Sequence, residues 1–334
     1  MSEKIRVIIY GLGVIGRAAG RLVTERAGME LVGAVDCSPT FAGRDVGEVL
    51  ELGRQLGFNV TDTLADTLAE AEADAVIHCT GSSFAGVLPQ LTEIVTADLC
   101  CVTSCEEALF PRYRHPELAE ELNTLCVAHG VGVLGTGVNP GFVMDTLVTV
   151  STAISQRVDS VRILRVVDAG TRREALQRKV GAGMLKADFE KLAAAGEIGH
   201  AGLLESLAFV TAALGWSAAQ LAEQVEPVLT TRAIQTKYLS LQPGQVAGVR
   251  QVARAVLDGR EVARLELQMY VGADQPRDEI EIDGVPPVRR VVTGGTPGDL
   301  ATPAILVNMV PALLTAGPGL HTMATLPLPR IAVC

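Results

Sequence analysis

Two adjacent glutamates, Glu106 and Glu107, are the residues of this chain best suited to acid–base chemistry. They follow residues 98–103, an apolar run with the composition of a buried strand. A carboxylate in this place can bind ammonium or an amine and exchange protons with imine or carbinolamine forms, and partial burial would raise its pKa toward that task. Alternatively, the pair forms the acidic first turn of the next helix, which the helix dipole favours. The residues alone leave both roles open, and one glutamate can be catalytic while the other caps.

A glycine-rich turn gives the second chemical signal. It lies between residues 5–10, which have strand length and β-branched content, and an alanine-rich stretch with a helical pattern. Its glycines have the G-x-G-x-x-G spacing, and in this context the spacing predicts a dinucleotide-binding turn. The first glycine permits the tight turn, the second admits a pyrophosphate, and the third lets helix and strand pack closely. The predicted cofactor contacts in this turn are Gly11, Leu12, Gly13, Val14, Ile15 and Gly16.

Asp36 ends the next predicted strand, and it bears on which dinucleotide binds. At this distance from the glycine turn, a carboxylate can accept hydrogen bonds from the adenosine ribose hydroxyls and would repel a 2′-phosphate. The alternative is an aspartate that caps a turn. NAD(H) is therefore the first prediction. Three nearby side chains, Ser38, Arg44 and Arg17, keep NADP(H) open as a second cofactor.

Two further turns follow predicted strands and should reach the same crevice, because cofactors bind outside the carboxyl ends of parallel strands. The turn at 80–83 follows the strand 74–79, and its small residues leave room for the nicotinamide ribose. Ser83 could equally cap the helix that follows. The turn at 136–142 contains three helix and strand breakers. The predicted cofactor contacts in these turns are Thr80, Gly81, Ser82 and Asn139. His78, within the strand, is interpreted as a core histidine.

These elements predict an α/β chain with two domains. Residues 1–140 alternate between strand and helix patterns, which indicates a Rossmann domain with a doubly wound parallel sheet. Residues 141–300 predict an α+β domain with a mostly antiparallel sheet and hairpin turns at Asp258-Gly259 and Asp283-Gly284. This domain should begin with a helix over 143–154. In the segment 301–334, an apolar helix over about Thr302–Thr315 should pack back on the first domain or lie in a subunit interface.

Composition excludes several classes of function. The net charge of −10 and the aromatic content of 4% argue against binding of a nucleic acid. No apolar run is long enough to span a membrane, and no signal peptide is apparent, so no membrane association and a cytoplasmic location are expected. The seven cysteines, among them Cys100, Cys101, Cys105 and Cys334, include no C-x-x-C pair. Neither a disulfide framework nor a metal site is predicted.

The chain resembles the dihydrodipicolinate-reductase-related superfamily, and within it the 2,4-diaminopentanoate dehydrogenases and the native NAD(P)-dependent amine dehydrogenases. The resemblance extends over nearly the whole chain. It rests on motifs at Gly11–Gly16, Gly33–Asp36, Ser104–Glu107, Gly135–Phe142, Gly199–Ser206, Asn308–Pro311 and Ala316–Gly319.

The resemblance implies an enzyme that interconverts amines with ketones or aldehydes and ammonia, using a nicotinamide cofactor. It implies that one glutamate of the pair binds the amine or ammonia, and we favour Glu107 over Glu106. It also implies that the second domain supplies the substrate pocket and the contacts of a homodimer. Phe142, Met144 and His200 are the predicted pocket residues, with core packing as the alternative for Met144 and a bond to a buried backbone group as the alternative for His200.

Several alternatives remain at this stage. The signature of true dihydrodipicolinate reductases is not visible in residues 160–190, which argues against that reductase activity. The diaminopentanoate enzymes proper must hold a substrate carboxylate, and Arg172, Arg173 and Lys179 are the basic candidates for it. The chain could also be a carbonyl or imine reductase that needs no ammonia. A non-enzymatic NAD-binding regulator is the third alternative, because a fold does not determine a function.

Overall fold

The computed structural model describes residues 4–332 and divides the chain into two compact units. The N-terminal unit contains the chain up to Phe142 and again from Pro297 onward, and the second unit runs from Val143 to Thr296. Cys334, at the end of the predicted segment 301–334, lies outside the described residues. Within residues 4–332, no helix is long and apolar enough to cross a membrane.

The first part of the N-terminal unit alternates between strands and helices, as the sequence predicts. Its elements are β1 (Ile5–Tyr10), α1 (Val14–Glu25), β2 (Met29–Val35), α2 (Val46–Val49), α3 (Leu64–Glu70), β3 (Ala75–His78), α4 (Phe84–Thr96), β4 (Cys100–Thr103), α5 (Pro116–His129) and β5 (Gly132–Gly135).

The second unit begins with helices and ends with long strands. Its elements are α6 (Thr146–Ser151), β6 (Arg157–Asp168), α7 (Glu174–Lys179), α8 (Lys186–Ala194), α9 (Leu203–Ala213), β7 (Gln220–Leu229), β8 (Ile234–Gln235), β9 (Ser240–Leu241), β10 (Val246–Leu257), β11 (Arg260–Tyr270), β12 (Arg277–Val285) and β13 (Val288–Thr293). The chain then adds α10 (Gly298–Leu314) and β14 (Gly319–His321) to the N-terminal unit.

The sheet of the N-terminal unit has the order β14-β5-β4-β3-β1-β2, and every neighbouring pair is parallel. From β1 the chain proceeds to β2 on one side and later to β3 on the other. The order therefore reverses beside β1, and this reversal opens a crevice at the carboxyl ends of β1 and β3. The predicted doubly wound parallel sheet is confirmed.

Apolar residues on both faces of this sheet hold the helices in place. On one face, Ile8 and Val76 of the strands share a buried cluster with Phe84 and Leu91 of α4. On the other face, α10 packs against α1, β3, β4 and β5. The sequence predicts that the apolar last helix is buried, and the structure places it inside this unit. The helix begins at Gly298, four residues earlier than its apolar pattern at Thr302 indicates.

The sheet of the second unit has the order β13-β12-β6-β11-β10-β7. The pair β6–β11 is parallel and the other pairs are antiparallel, so the predicted α+β class with a mostly antiparallel sheet is confirmed. The helix α9 packs on β7, β10 and β11 and covers one face. The predicted helix over 143–154 begins only at Thr146, because Asp145 accepts a hydrogen bond from the Thr146 N–H at 2.6 Å and caps it.

One of the two predicted hairpin turns is wrong. Asp258-Gly259 connects β10 and β11 as expected, but Asp283-Gly284 lies inside β12. The register of β12 against β6 shifts at this point, and a Cβ on Gly284 would overlap the carbonyl oxygen of Arg157. This glycine therefore permits a bulge with close backbone approach rather than a turn. The chain reverses two residues later, at Pro286 and Pro287.

The glycine turn between β1 and α1 packs more tightly at one glycine than at another. A Cβ on Gly16 would overlap the carbonyl oxygen of Gly11, whereas a Cβ on Gly13 would meet nothing within 4 Å. Gly11 itself has a φ of +96°, which favours glycine. Gly16 is thus required by the packing of the turn, and Gly13 is open toward the crevice.

This difference predicts opposite outcomes for two alanine substitutions. Gly16→Ala should lower the free energy of unfolding by about 1–3 kcal/mol, because the turn must move to admit the methyl group. Gly13→Ala should leave the melting temperature unchanged but weaken NADH binding at least about tenfold, or 1.4 kcal/mol, because its methyl group would project into the open space where the sequence predicts the pyrophosphate. Thermal unfolding and fluorescence titration with NADH measure the two effects. Equal destabilisation by both variants would contradict the assignment of Gly16 to the packing of the turn and of Gly13 to the cofactor side.

Candidate active site

Asp36 lies at the end of β2 and holds the glycine turn through its carboxylate. Its Oδ2 accepts a hydrogen bond from the Leu12 N–H at 2.6 Å, and its Oδ1 accepts one from the Ser38 N–H at 2.8 Å. A carboxylate oxygen has two lone-pair directions, so these bonds leave acceptor capacity for ribose hydroxyls. The alternative role in a turn is therefore present at Asp36, and the ribose contact stays a prediction.

The amino end of α1 has the features of an anion site. Gly13 is its N-cap and supplies no side chain to bond the first N–H groups. Gly13 and Val14 are exposed and Ile15 is half-buried, while Leu12 is fully buried beneath them. Free N–H groups at a helix N-terminus favour a phosphate. Together with the open space at Gly13, these residues fit a dinucleotide.

The turn after β3 lies at the same edge of the sheet. Thr80 and Gly81 are exposed, and Ser82 is half-buried. The Thr80 hydroxyl donates to Gln90 Oε1 at 2.6 Å and lies 2.8 Å from His78 Nε2. These bonds hold the predicted cofactor contact Thr80 against α4.

His78 connects this turn to the next strand. Its Nδ1 lies 2.8 Å from the Thr103 hydroxyl, which accepts a hydrogen bond from the Cys105 N–H, and its Nε2 lies 2.9 Å from Gln90 Oε1. Because Gln90 Oε1 can only accept, the ring proton is assigned to Nε2, and Nδ1 accepts from Thr103. Burial lowers the pKa of His78, so the ring stays neutral. The interpretation as a satisfied core histidine is confirmed.

Glu107 follows β4, and its carboxylate bonds to the amino end of a different helix. Its Oε2 accepts a hydrogen bond from the Phe84 N–H, the first of α4, at 2.7 Å. Its backbone N–H donates to the Ser82 carbonyl oxygen at 3.2 Å. Ser83 occupies the N-cap position, but its side chain makes no capping bond. Glu107 thus takes the capping role that the sequence offers to Ser83, and it lies directly beside the turn at 80–83.

Glu106 and Glu107 both lie in a short 3-10 helix, Glu106–Leu109, and both are half-buried. The acidic first turn that the sequence offers as an alternative is therefore present. The two side chains nevertheless differ, because Glu107 reaches across to α4 and the turn at 80–83. This contact gives Glu107 a geometric relation to the predicted cofactor contacts.

The sequence does not predict two residues around Glu107, which are His115 and Phe84. His115 Nε2 lies 3.4 Å from Glu107 Oε2. The His115 ring stacks on the Phe84 ring, with centroids 6.1 Å apart and planes inclined by 26°. The only sequence signal at His115 is its place before Pro116, at the start of a helix.

The cysteines beside the site are not nucleophiles. Burial raises the pKa of Cys79 to about 12 and that of Cys105 to about 12. Both thiols therefore stay protonated at neutral pH, and thiolate chemistry requires the ionised form. In the part of the chain that the structure describes, no group of three or more metal-ligating side chains is found.

The turn after β5 contains the last predicted residues of the N-terminal unit. Asn139 and Phe142 are both half-buried there. The Val138 N–H donates to the Thr302 hydroxyl of α10 at 3.3 Å, so the last helix helps to hold this turn. The contact of Asn139 with a cofactor and that of Phe142 with a substrate stay predictions.

The predicted pocket residues of the second unit are Met144, which is fully buried, and His200, which is half-buried. The backbone of His200 is clamped by Gln251, which accepts from the His200 N–H at 2.7 Å and donates to its carbonyl oxygen at 3.0 Å. The ring Nδ1 donates to the Ala201 carbonyl oxygen at 2.8 Å. Burial, with the charges of Lys179 and Arg165, lowers the pKa of His200 to about 4. The ring is therefore neutral, and Nε2 is an acceptor.

Comparison with known proteins agrees with this geometry. Residues 142–334 match the model of the 2,4-diaminopentanoate dehydrogenase C-terminal domain, and residues 5–102 match that of the dihydrodipicolinate reductase N-terminus. The 2,4-diaminopentanoate dehydrogenase of Acetoanaerobium sticklandii is 31% identical, over 98% of this chain and 95% of its own. An amine dehydrogenase of Streptomyces virginiae is 29% identical over 50% of this chain and 47% of its own.

A solved structure agrees over the whole chain. The amine dehydrogenase from Mycobacterium smegmatis superposes with a TM-score of 0.86 at 25% identity, covering 99% of this chain and 98% of that one. The predicted resemblance and the predicted class, an oxidoreductase of CH–NH2 groups, are confirmed at the level of the family. The chain belongs to the 2,4-diaminopentanoate dehydrogenase family of amine dehydrogenases.

Proposed function

We propose that this protein catalyses the reversible, NAD(P)-dependent amination of a ketone or aldehyde with ammonia, and that Glu107 is its catalytic residue. The observation that carries the proposal is the anchored carboxylate of Glu107. It lies beside the turn at 80–83, at the strand edge where the glycine turn fits a dinucleotide. Family membership supports the class of reaction.

The cofactor is held by the chain at both of its ends. The amino end of α1 binds the pyrophosphate, and Asp36 accepts hydrogen bonds from the adenosine ribose. Thr80, Gly81 and Ser82 contact the nicotinamide end, with Asn139 from the turn after β5. When bound, a nicotinamide would supply the hydride for amination and accept it in deamination.

Glu107 moves the protons of the reaction. Ammonia adds to the carbonyl carbon as the C=O π bond opens, and a proton passes from nitrogen to oxygen to give the carbinolamine. The carboxylate accepts the proton that the nitrogen loses and returns it to the hydroxyl group, which leaves as water. Its negative charge also stabilises ammonium and the cationic imine. Phe142 is the proposed substrate contact of the N-terminal unit and His200 that of the second unit, whereas Met144 is fully buried.

Replacing one glutamate at a time tests this mechanism. Glu107→Gln keeps an oxygen that can accept the Phe84 N–H but removes the charge and the exchangeable proton. We expect kcat to fall about 10²–10⁴-fold, with NADH binding unchanged. Glu106→Gln, the matched neighbour, should keep kcat within the wild-type order. Steady-state NADH oxidation with a ketone and ammonium gives kcat, and fluorescence titration gives the NADH affinity.

The same assay separates the proposed function from its alternatives. Turnover of a ketone without ammonium would indicate a carbonyl reductase. NADH binding with no turnover of any ketone or aldehyde would indicate a regulator. Wild-type turnover in Glu107→Gln would overturn the proposed role of this glutamate.

NAD(H) is the first cofactor and NADP(H) the second in this proposal, because Asp36 places a negative charge at the ribose. The basic residues nearby are already paired. Arg44 lies 2.6 Å from Glu48, and the Arg17 guanidinium lies 5.7 Å above the ring of Phe41. Neither pairing excludes a contact with a 2′-phosphate.

Asp36→Asn should therefore change the cofactor preference. The amide keeps an acceptor for the Leu12 N–H and removes the repulsion of a 2′-phosphate. We expect the ratio of kcat/KM for NADPH to that for NADH to rise at least about tenfold, or 1.4 kcal/mol. Parallel assays with both cofactors measure the ratio, and Asp66→Asn on α3 is the control. An unchanged ratio would contradict the role of Asp36.

One observation favours 2,4-diaminopentanoate itself, or a related amino acid, as a second candidate substrate. Lys179, a predicted candidate for binding a substrate carboxylate, acts by its charge on the ring of His200, whereas Arg165 is paired with Asp278 at 2.6 Å. Positive charge there would favour a substrate carboxylate. Activity with an amino ketone acid and none with the ketone that lacks the carboxylate would support this candidate over a simple amine.

We infer a homodimer from the uncovered face of the second sheet, opposite α9. Arg162, Leu164, Arg264, Glu266 and Glu279 line an open groove of about 250 Å³ on this face. Arg264 and Glu266 are paired at 3.2 Å. Alternating arginine and glutamate rows are complementary to a second copy of themselves after a two-fold rotation.

A cytoplasmic location stays a prediction, which the free thiols of the described cysteines support.

Reversing one charge on this face tests the homodimer. Arg162→Glu should convert a dimer to a monomer in sedimentation velocity, because it places like charges opposite each other. Lys186→Glu on α8, an exposed lysine paired with Glu190 at 3.5 Å, is the matched control and should stay dimeric. A dimeric Arg162→Glu protein would exclude this face as the interface.

A further inference from the structure

His115 is the titratable side chain in contact with the Glu107 carboxylate, and the proposed function gives it no role. Its Nε2 lies 3.4 Å from Oε2, and the His115 and Glu107 side chains are 28% and 22% exposed. The imidazole therefore contacts both the carboxylate and the solvent. An imidazole nitrogen can both accept and donate a proton, which suits the ring to pass protons in both directions.

The ring of His115 is held in this position by Phe84. The two rings stack with centroids 6.1 Å apart. Phe84 is fully buried, and its backbone N–H bonds to the same Oε2 that His115 approaches. One residue thus positions the carboxylate through its backbone and the imidazole through its ring.

The ring is not required for the local helix. His115 is the N-cap of α5, but its side chain makes no capping bond. The His115 N–H donates to the Pro111 carbonyl oxygen at 2.8 Å, and the His115 carbonyl oxygen accepts from the Ala119 N–H at 2.9 Å. These backbone bonds do not depend on the side chain at position 115.

The proton balance of the reaction requires an exchange with solvent. In deamination, the substrate ammonium, NAD⁺ and water give the carbonyl compound, NADH, ammonium and one proton. The C–H bond breaks as the hydride leaves, a C–O bond to water forms, and the C–N bond breaks as ammonium departs. One proton therefore leaves the site in each turnover, and one enters in each amination.

We propose that His115 is the residue through which Glu107 exchanges this proton with solvent. The inference rests on the proposed function of Glu107. In deamination, the carboxyl group gains a proton from the substrate and passes one to His115 Nε2, and the imidazolium releases a proton to water. In amination the transfers reverse. His115 touches neither substrate nor cofactor and acts through Glu107, as a positioning residue that also relays protons.

Three substitutions separate a relay from structural support. His115→Ala removes the ring and leaves a gap, His115→Phe keeps the stacking on Phe84 without a nitrogen, and His115→Gln keeps a side-chain N–H that can bond to Glu107. We expect kcat to fall at least about tenfold in all three, with the KM for NADH unchanged. His129→Ala, at the last turn of the same helix, should behave as the wild type.

Chemical rescue provides the readout that a structural role would not move. Imidazole added to His115→Ala should restore kcat in proportion to its concentration, because it can occupy the gap and carry the proton. It should not accelerate His115→Phe, whose ring fills the space, nor the wild type. Thermal unfolding checks that each variant is folded.

Two results would overturn the relay. One is a wild-type kcat in His115→Gln or His115→Phe, and this test holds even if His115→Ala fails to fold. The other is a slow, folded His115→Ala protein that imidazole does not rescue. Failure of the proposed function is distinguishable, because Glu107→Gln would then be active, whereas failure of the relay alone leaves Glu107→Gln inactive.

Discussion

The hydrogen bond from the Phe84 N–H to Glu107 is the interaction on which the site depends. It joins the turn after β4 to the amino end of α4 over 2.7 Å. A bond between a carboxylate and the positive end of a helix is stronger than one between neutral groups. The helix itself is held by apolar packing, with Phe84 and Leu91 in the buried cluster of the sheet. The Glu107 carboxylate is therefore fixed by an element whose own position is set by the hydrophobic core.

A second set of buried hydrogen bonds, centred on His78 at the end of β3, fixes the same turn after β4. His78 bonds to Thr103, and Thr103 accepts the Cys105 N–H, so the residues that lead to the glutamates follow the end of β3. On its other side, His78 contacts Thr80. Because the ring is neutral and fully buried, each of these bonds would be costly to break. Fixed strand ends of this kind let loops carry precisely placed groups on a rigid scaffold.

The sequence predicts those parts of the fold that have a local cause. Alternating strand and helix patterns, the glycine turn and the apolar last helix each depend on residues close together in the chain, and all of them were found. The strand β14 was missed, because three residues, Gly319–His321, have no periodicity to detect. The turn prediction at Asp283-Gly284 is wrong because Gly284 packs against the backbone of β6, more than a hundred residues earlier in the chain.

The candidate site divides in the same way, into features with a local cause and features that depend on residues far apart in the chain. Glu107 was favoured over Glu106 only by resemblance, and its partner His115 gave no usable signal, because their contact depends on the packing of a ring on Phe84. What a sequence can indicate is the residue type at a strand end. Which oxygen is bonded, and which second side chain touches it, is decided by the helices that meet there.

Asp36 and Glu107 show how one structural device can serve two different ligands. Each follows a parallel strand, and each carboxylate accepts hydrogen bonds from backbone N–H groups. Asp36 accepts from Leu12 and Ser38, and Glu107 accepts from Phe84. These bonds fix the orientation of each carboxylate. In the proposed function, the charge of Asp36 accepts hydrogen bonds from ribose hydroxyls and repels a 2′-phosphate, and the charge of Glu107 attracts ammonium. The Glu107 carboxylate also has the His115 imidazole 3.4 Å away, and this is the contact that the proposed proton relay requires.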